Sequence, residues 1–255
     1  MKYMGSKSRI AKHIVPIIQG ILDRHNVTCY VEPFVGGANV IDKIKCERRI
    51  GTDSNNYLIA LLKQVTESDP GLPDEVSRPM YNEIRSNYKT GLYQDWVVGC
   101  VGFLASYNGR FFDGGYAQPG YETLKDGKKR YRDYYREAKD NLLAQIPLLK
   151  GVRFECRDYK DAIKTFSGGL REHPTLFYCD PPYQNKKQYG EIKPKEWYDE
   201  FWQTIEKLSS EAIVIVSEEN APGNWTCIWG QEVSRSIKAS DKSRSVEKLF
   251  MLNPK

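Results

Sequence analysis

The segment Thr175-Leu176-Phe177-Tyr178-Cys179-Asp180-Pro181-Pro182-Tyr183 decides how the rest of the chain is interpreted. Its first five residues form an apolar run with the length of a buried strand, and the two prolines must end that strand. Each proline restricts φ and lacks a backbone N–H, so the turn is stiff and offers carbonyl oxygens as acceptors. Open α/β sheets bind their ligands at the carboxyl ends of strands. The turn therefore predicts a site for a planar substrate with an exocyclic amine.

A second strand and turn lie upstream, in residues 28–38, where an apolar run ends in Glu32-Pro33-Phe34-Val35-Gly36-Gly37. Val40, Ile41 and Ile44 then predict a helix, whose first N–H groups would face a ligand. Residues 49–53 predict another strand, which ends in an acid where nucleoside-binding folds hold ribose hydroxyls. The glycines do not match G-x-G-x-x-G, so a dinucleotide site is not favoured. The alternative is a plain glycine turn followed by a helix cap at residues 53–55.

Residues 67–146 differ in character, because prolines and glycines at 69–73 are followed by helical patterns and then by an aromatic, glycine-rich loop at 106–116. Residues 125–136 interleave basic side chains with tyrosines, which suits contacts to phosphates and bases together. Asn and Arg in the loop are side chains that read adenine and guanine edges. We interpret 67–146 as a substrate-recognition insertion. The alternative for 125–136 is a solvated helix.

The ends of the chain carry two further patterns. Residues 2–7 combine glycine, serine and lysines; composition alone favours a frayed basic terminus over an anion-binding loop. Near the other end, apolar segments at 232–237 and 246–252 flank a charged loop and predict an antiparallel hairpin. The loop itself either touches phosphate or is a solvated tip.

Composition places the chain among globular proteins with a full hydrophobic core. It has 255 residues, 40% of them hydrophobic, and a net charge of +5, which permits a nucleic-acid partner without requiring one. No apolar stretch has membrane-spanning length, and no signal-peptide core is present. The six cysteines form no C-x-x-C pair, so we expect no metal site and reduced thiols in a cytoplasmic setting.

Together these residues resemble the DNA adenine-N6 methyltransferases of the Dam type, the D12 class. The resemblance rests on K-Y-M-G-S-K at 2–7, V-E-P-F-V-G-G-A at 31–38, the acid in G-T-D-S-N at 51–55, C-D-P-P-Y at 179–183, and V-E-K-L-F at 246–250. Y-N-G-R-F-F at 107–112 is similar to the family's DNA-recognition segment. The chain departs from the family at Ala38, where many relatives have a third glycine, and at residues 218–220, where some carry Asn-His.

The resemblance implies a Rossmann-like methyltransferase fold, with a mostly parallel sheet, a terminal antiparallel hairpin and an inserted helical DNA-recognition domain. Residues 1–66 and 147–255 would form the catalytic domain, and 67–146 the target-recognition domain. The implied cofactor is S-adenosylmethionine, held by Tyr3, Lys7, Glu32, Phe34, Gly36, Gly37, Asp53, Asp158, Tyr159 and Asp180. No metal is implied.

The implied reaction methylates an adenine flipped out of double-stranded DNA. Asp180 and the Pro181 carbonyl would accept hydrogen bonds from the N6 amine, and Tyr183 would stack on the ring; Cys179 is a strand residue. The expected DNA contacts are Asn108, Arg110, Lys128, Arg130, Lys242 and Arg244.

Several alternatives stay open at this point. An RNA adenine methyltransferase shares the chemistry, and a nucleic-acid-binding module without catalysis is a second alternative. Asp180 argues against protein-glutamine and cytosine-N4 methylation, where Asn and Ser respectively are expected at the first position of the turn. The implied setting is the cytoplasm of a bacterial or phage-infected cell, as a monomer or weak dimer, with a cognate restriction endonuclease as a further expected partner.

Overall fold

The computed structural model describes residues 1–67, 70–124, 126–167, 174–184, 193–234 and 244–252. Its helices are α1 (Ala11–Arg24), α2 (Asn56–Glu67), α3 (Arg78–Asn87), α4 (Asp95–Leu104), α5 (Tyr134–Leu149), α6 (Tyr159–Phe166) and α7 (Lys195–Leu208). Its strands are β1 (Cys29–Glu32), β2 (Arg48–Asp53), β3 (Gly120–Thr123), β4 (Lys129–Arg132), β5 (Val152–Cys156), β6 (Thr175–Cys179), β7 (Ile213–Glu218), β8 (Thr226–Ser234) and β9 (Arg244–Met251).

The chain divides into two compact units. The first comprises Met1–Ser8, Gly36–Lys43 and Asn55–Cys156, and the second comprises Arg9–Val35, Ile44–Ser54 and Arg157–Lys255. Both units are discontinuous in sequence, so each contains elements from either side of the aromatic loop at 106–116.

Among the described residues the main sheet has seven strands, six of which belong to the second unit in the order β2-β1-β6-β7-β9-β8. Strands β2, β1, β6 and β7 are parallel to one another, whereas β9 is antiparallel to both β7 and β8. The predicted α/β class, with a mostly parallel sheet and a terminal hairpin, is confirmed. Parallel pairing matters for function because it brings the carboxyl ends of β2, β1, β6 and β7 to one edge.

The core of the second unit lies between this sheet and the helices that pack on it. Apolar residues of the central strands, among them Val31, Phe177 and Val214, pack with Phe201 and Ile205 of α7. Strands buried on both faces require near-continuous apolar runs, which is why residues 175–179 contain no charged side chain. This packing holds the central strands in register, and it therefore sets where their carboxyl ends lie along the edge of the sheet.

The first unit contains the helices α2 to α5. Helices α2 and α4 pack closely at Gly99, where a Cβ atom would lie 2.1 Å from the Tyr57 carbonyl oxygen. Only glycine allows that approach. The N-cap of α5 is Asp133, whose carboxylate accepts a hydrogen bond from the Arg136 N–H at 3.0 Å.

A two-stranded hairpin, β3–β4, precedes α5 in this unit. Its strands pair Tyr121 with Tyr131 and Glu122 with Arg130, and Gly127 forms the turn with φ +81°. The alternative of a solvated helix over 125–136 is therefore wrong as far as Arg132, because cross-strand pairing satisfies this backbone. The first unit thus combines helices with a hairpin, whereas only helices were expected between residues 67 and 146.

Two local predictions are also wrong. The helix expected after the glycine turn is a single 3₁₀ turn, Ile41–Lys43. Val40, Ile41 and Ile44 are all buried, but the segment that buries them is irregular, so their spacing reflects burial and not a helix. Residues 1–3 are not frayed, since Met1 is buried and its carbonyl accepts a hydrogen bond from the Asn39 amide at 3.0 Å. Composition could not reveal a partner 38 residues away.

Candidate active site

Four acidic residues mark the carboxyl edge of the parallel strands. Asp53 ends β2, Glu32 ends β1, Asp180 follows β6 and Glu218 ends β7. Glu32 and Glu218 are buried, whereas Asp53 and Asp180 are half-buried. In the strand register Glu32, Asp53 and Asp180 have the same parity, so their side chains point to one face of the sheet, whereas Glu218 lies level with Pro181 and points to the other face. Three carboxylates on one face of the carboxyl edge favour a cationic ligand.

The backbone ties the ends of β1 and β2 to the segment that precedes α6. The Val35 N–H donates to the Thr52 carbonyl at 2.9 Å, and the Arg157 N–H donates to the Asp53 carbonyl at 3.0 Å. Asp158 comes next and caps α6 by accepting a hydrogen bond from the Lys160 N–H at 2.9 Å. These bonds place the expected ribose-binding acid beside the expected adenine-binding pair.

Aromatic rings border this part of the site. Phe34 stacks on Tyr159 with ring centroids 5.4 Å apart, and Trp197 and Phe201 contact both rings edge-on or tilted. Tyr159 is buried, and burial, with the Glu200 charge next, raises the pKa of its hydroxyl to about 12. Tyr159 is thus a neutral aromatic wall, and its ring is held by three neighbours.

Glu32 is supported within its own strand. The Tyr30 hydroxyl donates to Glu32 Oε1 at 2.7 Å, and both side chains are buried, with Glu32 only 2% exposed. Residues i and i+2 of a strand point to the same face, which lets the two side chains meet. Burial, followed by the Glu32 charge, raises the pKa of Tyr30 well above 10, so its hydroxyl remains a donor.

The Asp180 turn follows a fully buried strand. Cys179 is buried, and burial, with the Asp180 charge second, raises the pKa of its thiol far above the usual range. A thiol that stays protonated is not a nucleophile. Tyr183 is 5% exposed; its hydroxyl lies 2.5 Å from Glu247 Oε2 and 3.2 Å from Ser217 Oγ.

The glycine turn belongs to the first unit, together with Tyr3 and the buried Lys7. Gly36 has φ +48°, and a Cβ atom there would lie 2.9 Å from Tyr3 Cε1. Ala38 also has a positive φ, +55°, so alanine occupies the left-handed region that glycine favours.

Gln145 of α5 holds this turn in place. Its amide nitrogen lies 2.8 Å from the Ala38 carbonyl oxygen, 3.2 Å from that of Gly37 and 2.9 Å from Asp42 Oδ2. The Gln145 amide thus supplies hydrogen bonds to the carbonyls of a turn that no regular helix follows.

The expected DNA contacts of the first unit lie on exposed surface. Asn108 adopts φ +56° within the 3₁₀ turn Tyr107–Gly109, and Arg110 lies between that turn and the next, Phe111–Gly114. On the hairpin, Arg130 pairs with Glu122 at 2.5 Å and Lys128 with Asp126 at 3.4 Å. Lys242 lies outside the described residues, and Arg244 is the first residue of β9.

Two neighbouring rings project from the same hairpin. Tyr121 is 75% exposed and Tyr131 is 56% exposed, with centroids 5.3 Å apart. The structure thus groups exposed aromatics with the predicted basic residues, although Tyr121 was not among the expected contacts.

The described residues contain neither a metal-binding cluster nor a helix that could span a membrane. Over the described ranges, no cluster of three or more His, Cys, Asp or Glu side chains is arranged to hold a metal ion. In the same part of the chain, none of the helices combines the length and the apolar character needed to span a bilayer.

A mostly parallel sheet with an antiparallel hairpin at one side, and with acids at the carboxyl edge of its parallel strands, is a Rossmann-like α/β arrangement. Residues 3–217 match the family model described as D12 class N6 adenine-specific DNA methyltransferase, and the chain belongs to that family. The match confirms the resemblance and the activity that the motifs predict, adenine-specific DNA methylation.

Two curated relatives are both named as type II methyltransferases. M.MjaIII of Methanocaldococcus jannaschii is 23% identical over 217 residues, which cover 78% of this chain and 73% of that protein. M.FokI of Planomicrobium okeanokoites is 25% identical over 202 residues, which cover 72% of this chain but only 28% of that protein. This chain therefore spans little more than a quarter of the second relative.

Among solved structures, similarity is found to the rRNA methyltransferase aviRa from Streptomyces viridochromogenes. Two structures of that protein are 13% and 12% identical, with TM-scores of 0.40 and 0.39. Each comparison covers 96% of this chain and 84% of the other.

Sequence reasoning did not find the side chains that hold the site residues. They are Tyr30 beneath Glu32, Gln145 beneath the glycine turn, and Ser217 and Glu247 at the Tyr183 hydroxyl. Tyr30, Gln145 and Ser217 lie outside the quoted motifs, and the motif V-E-K-L-F, which contains Glu247, assigns that residue no role, because each of the four acts through a partner set by the fold.

Proposed function

We propose that the protein transfers a methyl group from S-adenosylmethionine to N6 of an adenine flipped out of double-stranded DNA. The observation that carries this proposal is the set of three acids, Asp53, Glu32 and Asp180, at the carboxyl edge of β2, β1 and β6. A sulfonium and an ammonium make the donor cationic, which suits the charge of that edge. Asp53 lies beside Asp158 and Tyr159, an arrangement that suits ribose hydroxyls and adenine in turn.

The donor supplies an electrophilic methyl group, and the chain supplies the position of the amine. Asp180 and the Pro181 carbonyl accept hydrogen bonds from N6, which draws the nitrogen towards tetrahedral geometry and frees its lone pair. Tyr183 provides the stacking surface; because its ring is 5% exposed, a base reaches it only when the side chains over it move. Catalysis on this account is positioning and directed polar contact.

The experiment offers labelled S-adenosylmethionine with duplex DNA, RNA or protein as acceptor. We expect label at N6-adenine in DNA; label in RNA alone or protein alone would overturn the proposal. Asp180→Ala should keep cofactor affinity and lose transfer. Asp199→Ala, an exposed carboxylate on α7, is the matched control and should be active. Normal turnover by Asp180→Ala would remove that carboxylate from the mechanism.

We further propose that residues 67–146 recognise the target. Support comes from the exposed hairpin tyrosines beside Lys128 and Arg130, and from Asn108 and Arg110 on the exposed loop. Neutralising Lys128 should weaken binding to all sequences and reduce the slope of affinity against salt by about 1. Changing Asn108 should instead alter which sequences are methylated. Sequencing of N6-methyladenine in DNA from expressing cells measures the second effect.

The names of both relatives support a type II restriction–modification setting, with a cognate endonuclease as partner. Protection of expressing-cell DNA from a specific endonuclease tests this part of the proposal. Cleavage that is unchanged by expression, for every endonuclease whose site contains the mapped target, would contradict it.

A further inference from the structure

Both ends of Tyr183 are held by elements that follow it in the chain. Its hydroxyl lies between Glu247 Oε2 at 2.5 Å and Ser217 Oγ at 3.2 Å, and its carbonyl accepts a hydrogen bond from the Tyr198 hydroxyl at 3.0 Å. These partners come from β9, β7 and α7 respectively. A side chain anchored at its backbone and its tip has a fixed ring axis.

The bond to Glu247 is of the stronger kind. Hydrogen bonds from a hydroxyl to a carboxylate are short and roughly twice as strong as those between neutral groups. Burial, followed by the Asp180 and Glu247 charges, raises the pKa of Tyr183 well above 10. The phenol therefore remains a donor at every pH at which the protein would work.

Glu247 places a carboxylate at a partly buried position of β9. Its neighbour Lys248 lies opposite Glu218, the last residue of β7, in the strand register. An apolar residue would pack there without a desolvation penalty. If Tyr183 contributed only a stacking face, phenylalanine would serve equally well. The hydroxyl and its carboxylate partner together indicate that the orientation of the ring matters.

We propose that Glu247, assisted by Ser217, is a positioning residue that fixes the ring plane of Tyr183 against the target base. The inference rests on the proposed function, because it assumes that Tyr183 stacks on the flipped adenine. It assigns a role in base positioning to the C-terminal hairpin, which carries none of the expected catalytic residues.

The test is a double-mutant cycle in the full chain, on duplex DNA that carries the mapped target. Glu247→Ala should lower kcat about 10-fold, corresponding to roughly 1.4 kcal/mol, with the S-adenosylmethionine Kd unchanged. Tyr183→Phe should lower kcat by a similar factor. Because both changes remove the same hydrogen bond between Tyr183 and Glu247, the double variant should be no slower than the slower single variant. Glu247→Gln keeps an acceptor oxygen and should recover most of the rate.

A second readout reports the ring itself. With 2-aminopurine at the target position, stacking on Tyr183 quenches fluorescence, and Glu247→Ala should reduce that quenching. Glu232→Gln is the matched control, since Glu232 is an exposed glutamate on β8 of the same hairpin. This control should match the wild type in both assays.

The outcomes separate the two proposals. Absence of adenine methylation by the wild type overturns the proposed function. An active wild type with additive losses in the cycle, or with unchanged kcat and quenching in Glu247→Ala, overturns the positioning role. If Glu247→Ala does not fold, Tyr183→Phe decides, because it removes the hydroxyl that Glu247 and Ser217 hold. Wild-type kcat and quenching in Tyr183→Phe would overturn the role equally.

Discussion

Replacing Gln145 with leucine tests whether one buried amide holds the glycine turn. The amide nitrogen has two protons and three acceptors within 3.2 Å, so it makes two good bonds at a time, to the Ala38 carbonyl at 2.8 Å and to Asp42 at 2.9 Å. Leaving a buried acceptor without its donor costs ~1–3 kcal/mol, and a bond to a carboxylate lies at the upper end. We expect a loss of about 3 kcal/mol in the free energy of unfolding.

The loss should also appear in cofactor binding. Ala38 sits at φ +55°, where an L-residue costs ~1–2 kcal/mol, so the turn depends on its donor to keep that conformation. Under the proposed function, S-adenosylmethionine should bind Gln145→Leu more weakly than it binds the wild type. Urea unfolding measures the first quantity and isothermal titration the second. Gln203→Leu, at an exposed position of α7, is the control and should change stability by under ~0.5 kcal/mol.

Gln145→Glu sharpens the same test. It keeps the size of the side chain and the oxygen that accepts from the Met1 ammonium at 2.5 Å, but replaces the donor with a carboxylate oxygen that faces Asp42. It should therefore also destabilise the protein, because the Ala38 carbonyl and Asp42 lose their donor. A loss below ~1 kcal/mol in Gln145→Leu, or unchanged stability in Gln145→Glu, would refute the reasoning.

Three further predictions concern packing, charge and thiols. Gly99→Ala should destabilise the protein by about 3 kcal/mol or more in urea unfolding, because its Cβ would lie 2.1 Å from the Tyr57 carbonyl oxygen, whereas Gly20→Ala, in open space on α1, should stabilise by up to ~1 kcal/mol. The Arg132 hydrogen bond, with Lys2 assisting, lowers the pKa of Glu137 to about 2, so its stabilisation is present above ~4.3 and lost as pH falls towards 2; Glu137→Gln should flatten Tm against pH over that window, and an unchanged profile would contradict the pairing. Aromatic disulfide reagents should label the exposed Cys156 and Cys227 quickly and spare three buried thiols until the chain unfolds, and early labelling of those three would contradict their burial: Cys29, Cys100 and Cys179.

The strands and their terminal acids could be predicted because their signals are local. An apolar run stopped by prolines, or ended by an acid, specifies both a strand and the place where it ends. Parallel pairing then brings Glu32, Asp53 and Asp180 to one edge, as the α/β pattern implies. The prediction of a helix after the glycines was wrong because apolar spacing indicates burial and not helix as such. An irregular buried segment can have the same spacing as a short helix.

The β3–β4 hairpin carried a local signal that was available. Asp-Gly is a favoured hairpin signal, and here Gly127 takes φ +81° in a connection of odd length, since Thr123 pairs with Lys129. Glu122 lies across from Arg130 as a cross-strand ion pair. The basic side chains and tyrosines of this segment indicate phosphate and base contacts, whereas the Asp126-Gly127 dipeptide indicates the turn between the strands.

The contacts that orient the site have no local signal in the sequence. Gln145 donates to Gly37 from 108 residues away, and Glu247 meets Tyr183 across 64. Motifs record the groups that meet the substrate, whereas the geometry of those groups depends on partners whose only signature is the fold. A chain that kept D-P-P-Y and lost the equivalent of Glu247 would still match the motif. If the ring orientation of Tyr183 limits transfer, such a chain would bind the cofactor normally and methylate slowly, and the double-mutant cycle measures by how much.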